Sequence, residues 1–349
     1  MQLCSTVPAS FYKPVYFSIL PLHYTSMHIL ITGGAGFIGS NLTRTILEKY
    51  PAYRVTCVDN FDPFYPRAIK EFNIKTFRAD PRYRFIEMDI ADNAAAALAA
   101  QLAEPVDVIV HIAAKAGVRP SIENPMAYQQ ANVIGLQQML DYARAQNVKQ
   151  FVFASSSSVY GINDHYPWKE DEQLLPISPY AGTKLSGEMM GHVYSKLFGI
   201  RFLALRFFTV YGPGQRPDLA IHKFTKAILQ GKSIPMYGDG STSRDYTYVG
   251  DTVKGIIGAI HYNVTPFEII NLGNNYTVSL KELISAIEEV TGKQAVVEQF
   301  PEQQGDVPRT FADISKARKL LGYDPSTQLK DGLTDFYNWF VANRELLTK

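Results

Sequence analysis

Cysteine is nearly absent. Cys4 and Cys57 are the two in 349 residues, and neither a C-x-x-C pair nor a histidine pair at metal-ligand spacing occurs. This excludes a disulfide framework and argues against a zinc site, so no metal is expected. An excess of charge of one sign is equally lacking. Lys+Arg total 34 against Asp+Glu 33, and a net charge of +1 offers nucleic acid no electrostatic footprint. No apolar run approaches the roughly 18–20 residues that a membrane-spanning helix needs. Low-complexity sequence is confined to the alanine-rich stretch 94–100, which reads as a surface helix. What remains is ordinary globular chemistry, 46% hydrophobic and 19% charged. At roughly 150 residues per domain there is chain for about two domains. The composition points to a soluble enzyme of a reducing compartment, expected in the cytoplasm.

Residues 1–26 stand apart. Lys13 is their single charge, and Pro8, Pro14 and Pro21 interrupt any signal-peptide helix. They read as a leader or upstream extension without fixed structure, dispensable for folding and activity. From Met27 onward, apolar runs alternate with helical stretches. HILIT (28–32), RVTCVD (54–59), RFIEMD (84–89), VDVIVHIAA (106–114), QFVFASSSS (150–158) and IRFLALRFF (200–208) read as strands. Between them, 37–50, 126–146 and 179–198 carry helical periodicity. This alternation predicts an α/β fold: a doubly wound Rossmann sheet of parallel strands with right-handed crossovers. After Arg206, prolines 213, 217, 235, 266, 301 and 308 shorten the elements. The expected domains are therefore 27–206, binding a cofactor, with a return segment near 247–263, and a smaller interleaved C-terminal domain, 207–349, binding substrate.

Between the first strand and first helix, glycines recur at 33, 36 and 39 in T-G-G-A-G-F-I-G. Gly33 permits a tight turn, Gly36 lets backbone approach a pyrophosphate at the helix N-terminus, and Gly39 allows close helix–strand packing. Phe37 and Ile38 follow in the same turn. Asp59 ends the second strand, where a carboxylate accepts from both ribose hydroxyls and repels a 2′-phosphate, so NAD is expected over NADP. Asn60 follows it. Asp89-Ile90 closes the third strand, at the expected adenine edge. Ala113 lies at the close of the fourth apolar run, and Lys115 and Arg119 fall in the loop after it, near the expected cofactor or sugar.

Tyr180 and Lys184 share one helix face at i, i+4 spacing. An ordinary phenol, with a pKa of about 10, is too weak a base at neutral pH; a nearby ammonium and a nicotinamide cation both favour phenolate. Preceded by Ser155–Ser158 at the end of a buried strand, the pair becomes a hydroxyl–Tyr–Lys constellation.

TGGAGFIGSNL, HIAAKAGVRPSIENP, SSSSVYG, YAGTK, RFFTVYGPGQRPD, YGDGSTSRDYTYVGD and GDVPRTFADISKARKLLGY together resemble the extended short-chain dehydrogenase/reductases over nearly all of 27–345. Within that group the chain is most similar to the nucleotide-sugar epimerases that act on UDP-glucuronate at C4. The resemblance implies a Tyr180 base taking the sugar O4 proton while the C4 hydride passes to bound NAD. Lys184 would hold the nicotinamide ribose, and Ser156 would hydrogen-bond the reacting oxygen. Ser157, Ser158 and Thr209 would restrain the substrate carboxylate. Arg216 and Arg244 would clamp the pyrophosphate, and Asp306 would bind the uridine ribose or orient an arginine. Gln303 stands where several relatives carry Arg. The resemblance also implies a homodimer formed by the helices at 126–146 and 179–198, with Leu185, Met189, Val193 and Leu197 along one stripe.

The alternatives are a 4-epimerase of a neutral UDP-hexose or UDP-N-acetylhexosamine, and a UDP-glucuronate decarboxylase. A net oxidoreductase releasing NADH and a non-catalytic nucleotide-sensing protein on the same fold complete the set. Decarboxylase relatives carry Glu, and 4,6-dehydratases an Asp-Glu pair, in the stretch that here reads Ser157-Ser158.

Overall fold

The computed structural model describes residues 26–301 and 307–347. The expected leader, apart from Ser26, lies outside them, as do Gln303 and Asp306. Seven strands form one wholly parallel sheet: β1 Met27–Thr32, β2 Tyr53–Asp59, β3 Tyr83–Glu87, β4 Val108–His111, β5 Gln150–Ser156, β6 Arg201–Phe207 and β7 Phe267–Leu272. Their spatial order is 7-6-5-4-1-2-3, with the switch of direction beside β1. This is the Rossmann doubly wound arrangement.

Both faces of the sheet are covered, which explains why its strands read as continuous apolar runs. Alternate residues of β1 serve opposite cores. Ile29 and Ile31 pack with Leu42 and Ile46 of helix Phe37–Lys49 and with Val253 and Ile256 of helix Val249–His261. Leu30 faces the other way, toward Leu98, Leu136 and Leu140. The alanine stretch is a helix, Ala94–Gln101, that buries only Ala94 and Leu98. A third core, with Phe224, Leu283, Phe336 and Phe340, belongs to the C-terminal lobe, and Tyr65 from the loop after β2 and Ile69 from helix Arg67–Lys75 enter it.

Three local expectations differ from the structure. The helix expected at 126–146 is broken into Pro125–Tyr128, a wide turn Gln129–Ile134 and Gly135–Ala145. The wide turn carries Asn132, whose amide donates to Lys115 O and Thr183 Oγ1 while its carbonyl accepts from Lys115 N. Those bonds fix the loop after β4 and account for the irregularity. β4 is shorter than the apolar run 106–114, because Ile112 N and Ala113 N both turn to Thr32 O. The serine run leaves the sheet after Ser156, whose hydroxyl accepts from Ser158 N and opens a tight turn over Ser157–Tyr160. Beyond Arg206 the chain also returns to the sheet further than 247–263: helix Val249–His261 packs on the sheet, and β7, at 267–272, pairs with β6.

Candidate active site

The carboxyl ends of β1 through β6 open into one cleft of about 500 Å³. It is lined by Gly33, Gly36, Phe37, Ile38, Asp59, Asn60, Asp89, Ile90, Ala113 and Lys115, and also by Ser156, Ser157, Ser158, Tyr180, Lys184, Thr209 and Arg216. Gly39 does not line it; a Cβ at Gly39 would stand 2.3 Å from Gly33 O, so its role is close packing. Gly33 has φ +73°, and a Cβ there would lie 2.8 Å from Ala113 N. Arg244 is not in this lining. It lies on the short strand Ser243–Arg244, donating to Ser243 O, paired through its backbone with Val278. Asp306 lies outside the described residues.

Helix Phe37–Lys49 starts without a side-chain cap and with no acidic residue in its first turn. Its leading amides thus point at the cleft with no anionic side chain of their own, a setting that suits a pyrophosphate. Asp59 is buried at the tip of β2. Its carboxylate accepts from Ala35 N at 3.1 Å and Phe61 N at 2.9 Å, and Lys70 Nζ stands 3.8 Å away. Burial raises its pKa, with Lys70 and the two amides opposing. The glycine cradle, uncapped helix and carboxylate together fit an adenosine diphosphate with a free ribose 2′-hydroxyl. Asn60 Nδ2 donates to Asp89 Oδ2 at 2.8 Å, tying the tips of β2 and β3.

At the other end of the cleft, three turns of helix Pro179–Phe198 face the end of β5. Ser156 and Tyr180 both line the cleft there, and the Ser156 hydroxyl bonds Ser158 Oγ at 2.8 Å. Lys184 Nζ donates to Ala154 O at 2.7 Å. Ser155 Oγ donates to Glu188 Oε1 at 2.5 Å. Burial pushes the Tyr180 phenol up, while Ser156 and the Arg216 cation pull it down. Burial also lowers Lys184 to about 7. Helix Pro179–Phe198 begins there because Ser178 caps Ala181 N and Pro179 occupies the first turn.

Arg216 is gripped at both ends by Asp218, Nε to Oδ1 at 2.9 Å and Nη2 to Oδ2 at 2.6 Å, and its guanidinium lies 5.2 Å from the Phe64 ring centroid. Lys115 pairs with Asp62 at 2.7 Å. Burial pushes Asp62 up, but the hydrogen bonds from Lys115 and Phe64 N together with the Lys115 and Lys70 charges outweigh it, and its pKa falls. Arg119 lies 5.6 Å from the Tyr237 ring centroid, outside the cleft lining. Asp62, Phe64, Tyr65 and Lys70 line the cleft too, and sequence reasoning missed all four. A lysine inside a helix and an aromatic loop carry no local signal that they fold back beside a strand tip.

Comparison with known proteins follows the same lines. Residues 30–336 match the family described as GDP-mannose 4,6 dehydratase. The chain belongs to this family of extended short-chain dehydrogenase/reductases. A probable UDP-glucuronate 4-epimerase of Rhizobium meliloti is 38% identical over 336 residues, covering 91% of this chain and 98% of that protein. An uncharacterized UDP-glucose epimerase of Bacillus subtilis is 44% identical over 310 residues, covering 88% and 96%. The crystal structure of a Bacillus cereus UDP-glucuronic acid 4-epimerase, with UDP-glucuronic acid and NAD, superposes with a TM-score of 0.85 at 38% identity, covering 90% of this chain and 99% of that one. Among the described residues, no group of three or more His, Cys, Asp or Glu could hold a metal ion, and no helix is long and apolar enough to cross a membrane.

Proposed function

We propose that this protein is an isomerase that interconverts UDP-glucuronate and UDP-galacturonate at C4 through a 4-keto intermediate, with NAD as its bound cofactor. One observation carries the reading: a phenol, an ammonium and a hydroxyl converge at the end of β5, opposite a glycine cradle and a buried strand-tip carboxylate in the same cleft. Supporting it are the family membership and the epimerases among its relatives.

Gly33, Gly36, Phe37 and Ile38 would hold the NAD pyrophosphate and Asp59 with Asn60 its adenosine ribose. Asp89 and Ile90 would bound the adenine, with Ala113, Lys115 and Lys184 along the rest. When bound, NAD would supply the hydride acceptor and donor for the substrate C4. Tyr180, as phenolate, takes the O4 proton and gives it back, and Ser156 is placed to hold O4 beside the phenol. Ser156 and the Arg216 cation favour that phenolate. Ser157, Ser158 and Thr209 present hydroxyls to the sugar carboxylate. Arg216 and Arg244 serve as anion clamps, Arg216 from the cleft wall and Arg244 from outside its lining.

The decisive experiment is incubation with UDP-glucuronate, UDP-glucose and UDP-N-acetylglucosamine separately, without added NAD, followed by proton NMR of the anomeric region. Conversion of UDP-glucuronate alone supports the reading. Conversion only of UDP-glucose supports the second one, for which the Bacillus subtilis relative is the specific ground.

The reading includes a homodimer and a cytoplasmic location, which a free, buried Cys57 suits. Met189, Val193 and Leu197 are 49%, 47% and 69% exposed on helix Pro179–Phe198, whereas Leu185 packs on the core. Beside them stand Met126 and Ile122, 73% and 57% exposed, on the segments packed against that helix. An apolar patch of this kind fits a self-association face.

A further inference from the structure

Glu188 and Arg206 form a charge pair with no access to solvent, and neither lines the cleft. Both side chains are 0% exposed. The pairing is bidentate, Arg206 Nε to Glu188 Oε1 at 2.9 Å and Arg206 Nη2 to Glu188 Oε2 at 2.8 Å. Arg206 Nη1 donates to Glu170 O at 3.2 Å, and the guanidinium lies 4.8 Å from the Tyr160 ring centroid. Replacing such a pair by apolar groups of similar volume is often neutral or stabilising, so stability alone gives little reason for it.

Its place in the fold gives a better reason. Glu188 follows Tyr180 and Lys184 at i+8 and i+4 on one helix face. Two of the three bond neighbouring residues of β5, Lys184 at Ala154 O and Glu188 at Ser155 Oγ, while Tyr180 and the next strand residue, Ser156, line the cleft together. Arg206, at the end of β6, sits three residues before Thr209. A shift of the helix along its axis would break the Glu188 bonds first, because they are bidentate and charged. A hydrophobic contact would tolerate the same slide.

We propose that the Glu188–Arg206 pair, with Ser155, is a positioning device that sets the axial register of helix Pro179–Phe198 on β5 and so fixes where the Tyr180 phenol stands beside Ser156 in the cleft. Neither residue touches substrate; they act through Tyr180. This deepens the epimerase reading and rests on it for the role of Tyr180.

The test uses the full chain with two variants. The double variant Glu188→Leu/Arg206→Met removes both charges together, leaving neither one buried alone. Ser155→Ala leaves the pair and cuts its tie to β5. For the double variant, kcat should fall about ten-fold or more with KM changed less than two-fold. The rise of kcat with pH should move to higher pH, because Ser156, which favours phenolate, then stands farther from the phenol. For Ser155→Ala, the expected loss is two- to five-fold in the same direction. Rates are taken relative to the parent on whichever UDP-sugar the parent turns over, so a mistaken sugar leaves the comparison intact. Crystal structures of the parent and of each folded variant add a readout independent of turnover: the distance between Ser156 Oγ and Tyr180 Oη should be longer in the double variant than in the parent. A parent that turns over no UDP-sugar refutes the epimerase reading, and the register is then decided by that distance alone. Parent-like kcat and pH profile in either folded variant, or an unchanged Ser156–Tyr180 distance in the double variant, overturns the proposal.

Discussion

Lys184 Nζ donates to the carbonyl oxygen of Ala154 at 2.7 Å, and no carboxylate is among the causes that set its titration. An ammonium buried this way gives up its proton easily: burial lowers Lys184 to about 7. The sign of the consequence follows from linkage. Below pH 7 the folded protein carries a buried charge that the unfolded chain carries in water, a destabilising contribution. Between pH 7 and the ordinary lysine range near 10.5, the unfolded state binds more protons, so stability from this group rises with pH. Cofactor-free Lys184→Met should therefore melt a few degrees above the parent at pH 6.5, and the gap should narrow toward pH 10. Equal gaps at both pH values, by calorimetry, would remove the argument.

Tyr180→Phe keeps the ring that meets Tyr128 edge-on at 6.2 Å but deletes the hydroxyl. Loss of a general base costs on the order of 10²–10⁴ in rate. The variant should therefore lose nearly all turnover while NAD and UDP-sugar still bind by calorimetric titration. For the parent, kcat should rise with pH, because burial raises the phenol and proton loss is needed for it to act as base. A variant with parental rates places the base elsewhere.

The loop after β2 closes toward the cleft through Asp62–Lys115 and buries Tyr65 in the C-terminal lobe. An enzyme that returns its hydride in each cycle gains from slow NAD loss. Both side chains of the pair keep partial solvent access, so its worth is about 1 kcal/mol at most. Asp62→Asn should accelerate NAD dissociation by about two- to five-fold, less at high salt. A coupling dehydrogenase that reduces each released NAD to fluorescent NADH reports the rate; an unchanged rate at low salt counts against a retaining role.

Much of this site was legible in the sequence because its chemistry lies at strand ends. Gly33, Asp59, Asp89, Ser156 and Thr209 each follow or end an apolar run, and a parallel sheet brings all such ends to one edge. Tyr180 and Lys184 were legible as an i, i+4 pair. Residues that reach the cleft by folding back were not. Lys70 sits mid-helix in Arg67–Lys75 and looks like any surface lysine, yet its ammonium lies beside Asp59. Arg244 shows the converse: an arginine in a promising loop whose own strand pairing carries it out of the cleft lining. The break at Gln129–Ile134 was hidden because its cause, Asn132 bonding to Lys115 and Thr183, spans distant chain segments.

The exposed stripe on helix Pro179–Phe198 leads to a test of assembly. Val193→Asp with Leu197→Asp puts two charges on the exposed stripe without replacing a buried residue. Light scattering at micromolar concentration should show a dimer for the parent and a monomer for the variant, with the melting temperature of the fold little changed. A monomeric parent would remove the dimer from the proposal.

Carboxylate control is the sharpest remaining test. A 4-keto-uronic acid is a β-keto acid and loses CO₂ readily, so an epimerase must hold the carboxylate away from the cleaving orientation until the hydride returns. Ser157, Ser158 and Thr209 line the cleft on the side of Tyr180, and no Glu or Asp occupies the serine positions. Each hydrogen bond to a charged group contributes about 1.5–3 kcal/mol, enough to shift a competing pathway by about ten-fold. Thr209→Val preserves volume and deletes one donor at the start of the strand Thr209–Tyr211. With UDP-glucuronate, the parent should give UDP-galacturonate and almost no UDP-pentose. In the variant the pentose fraction should rise, or affinity for UDP-glucuronate should fall while UDP-glucose binding barely changes. Product analysis by NMR separates the two outcomes. A variant that handles UDP-glucuronate as the parent does would move the restraint to other groups and weaken the case for a carboxylate-bearing substrate.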